Sequence, residues 1–477
     1  MDKPDSLGHK ATKGAIWAAA DKFGSMGLQF LVNLILARLL VPEDFGIIGM
    51  LAIFIAVSQT LIDGGFTSAL IQKKSPSQAD FSTIFYWNSA ISLLLYLILF
   101  ASAPYIGDFY NNDLLCPVLR TIGITLIFNS VNAILTARLR KQLSFKTIAA
   151  TNILSFTLGG SVGISLAFNG WGVWSLVIMQ ITNGICAMII FSIITHWLPS
   201  LCFSKKSFKE LFGFGGYILA ANVLQTTCQN LQGLIIGKRF SAVQMGYYSQ
   251  AYKLDQVTSY SLPYIIVQVM YPVYSSIQDD KVRLQNMLLM NIRTISFVIF
   301  PILGFLMVIS TPLIHFLYGS QWIECAPYFS ILCVGGLFAC LQNINFYAVA
   351  AMGRSRELFF WSFYKWSVLI AALFIGALFG MYGILWGMTV SNLNIYLTNA
   401  MLANKYVGLK LTTQLRTLIP ALTIVTIAIV LSYIVLEIHV FLTAIIFLVT
   451  YLIGSYVFNR QSMTESLSLI NSIISRK

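Results

Sequence analysis

Apolar residues run along this chain in long blocks, separated by short polar or glycine-containing punctuation, from about residue 14 to residue 458. Each block is long enough for a helix to cross a bilayer of roughly 30 Å. The pattern predicts fourteen spans, at 14–37, 45–71, 83–104, 116–137, 145–168, 172–197, 211–237, 246–274, 289–315, 327–350, 360–380, 382–403, 417–435 and 439–458. The punctuation is thinnest at Asn169–Gly172, Met381–Tyr382 and Leu436–His439. Two spans carry a break signal, Asp63-Gly64-Gly65 in the second and Leu262-Pro263-Tyr264 in the eighth, because proline removes a ladder donor and glycine frees the backbone to leave the helix. After the last span, Leu467, Ile470 and Ile474 share one face and predict an interfacial helix.

Composition agrees with this pattern. Of 477 residues, 57% are hydrophobic and 10% charged, against about 25% charged in a soluble domain. The fold class is therefore an all-α integral membrane protein. Its net charge of +13 reads as topology. With the N-terminus in the cytosol, 22 of the 30 basic residues fall on cytosolic segments, and only Arg38, Lys238 and Arg239 on opposite loops. That bias satisfies the positive-inside rule with both termini cytosolic. Basic residues spread over many loops give no nucleic-acid face. The opening "MDKPDSLGHKATKG" shows no signal-peptide cleavage pattern, so the first span is expected to stay as a helix. Seven scattered cysteines and four scattered histidines show no metal spacing.

A shift of 200 residues lays the first span on the seventh, matching Ala20 with Ala220, Gln29 with Gln229, Leu34 with Leu234 and Gly46 with Gly246. A second echo pairs "GWGVWSLVIMQITN" at 170 with "MYGILWGMTVSNLN" at 381. Internal repeats of this kind mark transporters. They predict two pseudo-symmetric six-helix lobes around a central cavity, residues 1–205 and 206–404, with two further helices and a cytosolic tail over 405–477.

Polar positions inside the spans are ordered. Lys22, Ser25, Gln29 and Asn33 follow helical spacing and share one face, as do their counterparts Asn222, Gln225 and Gln229. An intramembrane charge costs about 2.5–3.5 kcal/mol on insertion scales and so faces a bundle interior or a wet cavity. Two such stripes would line a hydrophilic cavity; the alternative is that Asp21 and Lys22 snorkel to the cytosol. Tyr252, Lys253, Gln256 and Tyr260 form a second polar face, suited to a polar or anionic ligand. Arg293 can reach either the cavity or the headgroups. Asp63 admits three roles: helix-break cap, partner of Lys22, or ion site. Asp21, Asp63 and Asp255 are the candidate ion-coupling acids. Arg120 and Lys365 are expected to snorkel, and Asn129 and Asn132 to bond between helices.

The stretches "ARLLVPEDFGIIGM" (37–50), "DGGFTSALIQKK" (63–74), "FSTIFYWNSAIS" (81–92), "MGYYSQAYKLDQVTSYSLPYIIVQVMYPVYSSIQDD" (245–280) and "PILGFLMVISTPLIHFLYGSQW" (301–322) resemble the polysaccharide-transporter branch of the multidrug/oligosaccharidyl-lipid/polysaccharide exporter superfamily. The resemblance covers roughly residues 8–410. It implies a bacterial inner-membrane flippase working by alternating access on a polyprenyl-pyrophosphate-linked oligosaccharide, for O-antigen, capsule or exopolysaccharide assembly. It also implies membrane lipids and polysaccharide polymerase and chain-length machinery as partners. Lys22, Lys253 and Arg293 would then meet the pyrophosphate, and amides, hydroxyls and tyrosines the sugars. Rival readings are an ion-coupled multidrug antiporter, which needs acids in a cavity that reads here as neutral to basic, and a lipid II flippase. A membrane polymerase or acyltransferase is disfavoured by outer loops of only about twelve residues, such as "LYGSQWIECAP". With no D-x-D motif, Walker loop or metal cluster, the residues point to no enzyme and no cofactor.

Overall fold

The computed structural model describes residues 4–436 and 440–466. The helices are α1 (Pro4–Leu39), α2 (Pro42–Asp63), α3 (Phe66–Gln72), α4 (Gln78–Tyr110), α5 (Leu115–Ile122), α6 (Thr125–Lys141), α7 (Phe145–Phe168), α8 (Val173–Thr195), α9 (Lys205–Arg239), α10 (Ala242–Asp255), α11 (Leu262–Ser276), α12 (Lys281–Val308), α13 (Ser310–Tyr318), α14 (Cys325–Ala351), α15 (Ser355–Leu378), α16 (Gly380–Tyr406), α17 (Leu411–Leu436) and α18 (Val440–Phe458). They gather into two compact units that divide between Gly246 and Tyr247. Among the described residues, ten helices are long and apolar enough to cross a membrane. The four expected spans outside that set lie on α1, α9, α10–α11 and α16. The α1 and α9 spans carry polar stripes, while α10 and α11, with 14 and 15 residues, are each shorter than any of the ten. The expected interfacial face of Leu467, Ile470 and Ile474 and the turn at 437–439 lie outside the described residues.

Both break signals act. The α2 helix stops at Asp63, Gly64 and Gly65 take φ of +52° and +70°, and α3 begins at Phe66. In the eighth span a π-helical turn over Gln256–Ser261 precedes Pro263, whose ring nitrogen cannot donate to the ladder. The turn expected at Met381–Tyr382 falls earlier, at Phe379–Gly380, because Gly380 adopts φ +82°, a conformation open to a residue without Cβ.

In the first unit α1 packs on α7, and α7 on α8, through small residues. A Cβ on Gly160 would come within 2.8 Å of Val32, and one on Gly159 within 2.8 Å of the Met179 carbonyl oxygen. Close backbone approach of this kind drives helix association where lipid competes with apolar side chains. The α2 helix starts on Pro42, with Val41 extended at its N-cap and the Asp44 carboxylate accepting from the Val41 amide at 3.2 Å. The glycines matched by the 200-residue shift meet there. A Cβ on Gly46 would lie 1.7 Å from the Ala242 carbonyl oxygen, and one on Gly246 1.8 Å from that of Pro42. Thus α9, which packs on α2, and the start of α10 belong to the first compact unit.

At the opposite end of α2–α3, the Lys73 ammonium donates to Asp80 and, at 3.1 Å, to Glu210. Burial lowers the Lys73 pKa, but these bonds outweigh it and leave the pKa raised.

In the second unit Lys365 does not snorkel. It is buried, donates to Asn399 Oδ1 at 3.1 Å and lies 5.6 Å from the Phe346 ring centroid. The face it shares with α16 offers this partner where α15 is covered. Arg120 is half-buried at the surface, with Nε donating to the Phe100 carbonyl at 3.2 Å and its guanidinium 4.3 Å from the ring of exposed Phe100.

Candidate functional site

The first unit carries a cavity of about 710 Å³ walled by α1, α2–α3, α6, α7, α8 and α9. From α1 come Asp21, Lys22, Ser25 and Gln29, in the phase their spacing predicts, and from α2 Gln59 and Asp63. Asn222 of α9, the counterpart of Lys22 in the repeat, lines the same cavity. Asn33, Gln225 and Gln229 lie outside its wall.

The largest contribution absent from the sequence expectation comes from α6. Asn129, Asn132, Thr136 and Arg140 line the wall together. Their spacing reproduces that of Lys22, Ser25, Gln29 and Asn33, so one helical-face criterion finds both stripes. Asn132 also bonds between helices as expected, with Nδ2 donating to the Gly184 carbonyl at 3.2 Å. Asn152 of α7 and Asn183 of α8 complete a lining rich in carboxamides.

Two carboxylates and two cations share this space, so the cavity is electrically balanced. Each carboxylate has its own donors. Asp21 accepts from Ser25 Oγ at 3.2 Å and from Asn152 Nδ2 at 3.2 and 3.3 Å. Asp63 accepts from Gln59 Nε2 at 3.3 Å. The cationic ends of Lys22 and Arg140 belong to exposed residues. Gln59 Oε1, Thr67 Oγ1 and Asn132 Oδ1 have no hydrogen-bond partner among the described residues. Carboxamides both donate and accept, as sugar hydroxyls do, and the two cations suit phosphate oxygens. Phe156 and Phe191 supply apolar wall.

The Asp21–Asn152 contact carries a specific expectation. Asn152→Leu removes the one α7 donor, which reaches both oxygens of Asp21, and should destabilise the protein by ~1–3 kcal/mol, read as a lower melting midpoint in detergent. In an Asp21→Asn background the same change should cost much less, since the charge is gone. Equal effects in both backgrounds would show that the contact carries no coupling.

The other predicted residues belong to the second unit. Tyr252 stacks on Tyr248 with ring centroids 5.6 Å apart, and Tyr260 OH donates to Asn392 Oδ1 at 3.4 Å. Lys253 is exposed on α10, and Gln256 opens the π-helical turn. Asp255 is buried and accepts from Ser259 Oγ. Gly336 of α14 makes room for this pair, since a Cβ there would fall 2.1 Å from Ser259 Oγ. Arg293 is ion-paired to Glu465 at 2.9 Å.

A model of the family described as polysaccharide biosynthesis protein matches residues 35–327. The lipopolysaccharide biosynthesis protein WzxC of Escherichia coli (strain K12) is 26% identical over 401 residues, 83% of this chain and 81% of that protein. The succinoglycan biosynthesis transport protein ExoT of Rhizobium meliloti (strain 1021) is 22% identical over 77% of this chain and 75% of that one. Among solved structures, the lipid II flippase MurJ in an inward closed conformation superposes with a TM-score of 0.73 at 16% identity, over 94% of this chain and 100% of that chain. This last likeness is one of fold.

Proposed function

As this chain belongs to the polysaccharide biosynthesis protein family, we propose that it is a flippase for a polyprenyl-pyrophosphate-linked oligosaccharide repeat unit. It moves the unit from the cytosolic to the periplasmic leaflet of a bacterial inner membrane by alternating access, with both termini cytosolic. The observation that carries this reading is the first-unit cavity, where carboxamides accompany two exposed cations. Relatives named for lipopolysaccharide biosynthesis and succinoglycan transport support a glycan cargo.

In this scheme Lys22 and Arg140 meet the pyrophosphate, and Ser25, Gln29, Asn222 and the other amides meet sugar hydroxyls. Lys253, with Tyr252, Gln256 and Tyr260, forms a second polar face for the same cargo. Asn33, Gln225 and Gln229 continue the α1 and α9 stripes and offer further polar groups to the sugars. The sequence-related bundles 1–205 and 206–404 act as the moving halves, with 405–477 appended. Polymerase and chain-length proteins then use the delivered unit. Asp21, Asp63 and Asp255 are the groups through which an ion gradient would act, and gradient-independent flipping in vesicles would remove that role.

The test is deletion of the gene in the bacterium that encodes it, followed by extraction of lipid-linked oligosaccharides. They should accumulate on the inner leaflet, shielded from an external glycan-modifying reagent, and a plasmid copy should relieve the block. The two carboxylates in the cavity favour one other reading, an ion-coupled antiporter. Rising sensitivity to cationic drugs without accumulation would select it.

A further inference from the structure

The second unit holds a cluster of arginines that the proposed cargo path does not use. Residues 460–466, helical after the end of α18, lie along α12 and α17. A cavity of about 470 Å³ opens on one side of this segment, and one of about 360 Å³ on the other. Arg293 and Gln461 line both. Arg283 adds to the first, and Arg416 and Arg460 to the second. Against four guanidinium groups the two walls bring one carboxylate, Glu465, which holds Arg293 at 2.9 Å with both side chains about four-fifths buried. The nearby Asp280 carboxylate caps α12 by accepting from the Arg283 amide at 3.0 Å.

The walls are also apolar in part. Met287 and Met290 line the first cavity, and Pro420 and Phe458 the second. Phe458, the last residue of α18, is 74% exposed. Asn459, buried in the wall of the second cavity, accepts from Ser462 Oγ but leaves Nδ2 without a hydrogen-bond partner among the described residues. A guanidinium cluster with an amide donor, set beside an exposed aromatic at the end of a membrane-span helix, matches an anionic headgroup with acyl chains attached. Basic pockets between membrane helices bind such headgroups, and the planar guanidinium pairs with phosphate through two parallel bonds.

We propose that these paired cavities bind the phosphate headgroup of an anionic membrane phospholipid, for which Glu465 acts as an internal competitor at Arg293. Lipid binding and the docking of residues 460–466 are therefore linked. A phosphate at Arg293 displaces the carboxylate, and the segment's hold on α12 weakens as lipid binds.

The test is native mass spectrometry of the full-length protein in detergent, titrated with phosphatidylglycerol or phosphatidylcholine. Phosphatidylglycerol should bind in preference. Arg293→Gln with Arg416→Gln should weaken it about tenfold or more, whereas Arg354→Gln with Arg356→Gln, outside both cavities, should leave it unchanged. Glu465→Gln should strengthen binding, a gain that misfolding cannot imitate. Equal binding of the two lipids would overturn the proposal, as would equal loss in both arginine pairs. Displacement by millimolar inorganic phosphate would assign the site to a free anion instead. Preferential displacement by polyprenyl phosphate would assign it to the cargo. No change or a fall with Glu465→Gln would overturn the competition.

Discussion

Replacing Lys22 and Arg140 together by alanine is expected to reduce repeat-unit flipping by roughly a hundredfold or more at unchanged protein abundance. Each hydrogen bond to a charged group is worth about 1.5–3 kcal/mol net, and every 1.4 kcal/mol is a factor of ten. The change in cavity charge adds to the loss. Asp21 keeps Ser25 and Asn152 as donors, and Asp63 keeps Gln59. Both carboxyl groups remain when the two cations are gone, so the cavity loses the positive charge that would offset an anionic cargo. Inner-leaflet accumulation of lipid-linked oligosaccharide, beside a quantitative blot, reads this out. Two further variants divide the explanations. Lys22→Arg should retain function, since a guanidinium also binds phosphate. Lys22→Ala with Asp21→Asn restores local neutrality without restoring a cation. Recovery of flipping there would mean that Lys22 serves only to balance Asp21. Wild-type flipping in the double alanine variant would sink the pyrophosphate role of this cavity.

The second large effect concerns folding. Gly46→Val or Gly246→Val should each cost ~3 kcal/mol or more, at the upper end of what overpacking causes. The colliding atoms are backbone carbonyl oxygens, at 1.7 Å for Gly46 and 1.8 Å for Gly246, and no rotamer change can move them. The helix α2 must then part from the start of α10, which exposes both surfaces. The fraction of folded protein recovered by size-exclusion chromatography should fall sharply, with a lower melting midpoint for whatever survives. Gly27→Ala is the matched control, because nothing lies within 4 Å of its added Cβ. A valine at Gly46 that melts like the parent protein would show that the two helices separate freely.

Much of this architecture can be read from one-dimensional pattern, for physical reasons. In hydrocarbon every backbone polar group must be satisfied within the segment, so apolar blocks of sufficient length can only be helices. The same rule makes breaks visible. Asp63-Gly64-Gly65 and Pro263 mark places where the ladder can break, and α2 and the eighth span end or widen there. The α1 stripe is legible because a charged or amide face in a membrane span needs a wet neighbour. Lys22, Ser25 and Gln29 stand on one cavity wall as their spacing requires.

Other features depended on which faces meet. The α6 stripe has the spacing of the α1 stripe, yet Arg140 reads in sequence as one more basic residue at a helix end. Only the packing of α6 between α3, α4 and α8 turns that face toward Asp63 and the α1 residues. Lys365 lies near a span end, where snorkelling is the default, and its burial against Asn399 follows from the pairing of α15 with α16. Arg293 could reach cargo or headgroups by sequence, and the position of residues 460–466 pairs it with Glu465.

The reciprocal seating of Gly46 and Gly246 joins the two levels. Their match across 200 residues is a fact of sequence. That each glycine receives a carbonyl from the other's helix start is a fact of tertiary structure. The sequence by itself determined the helices, their breaks and the phase of their polar faces, since period and backbone hydrogen bonding are local. The partner of each polar face was decided only by tertiary packing, because a helix face carries no record of the helix it will meet.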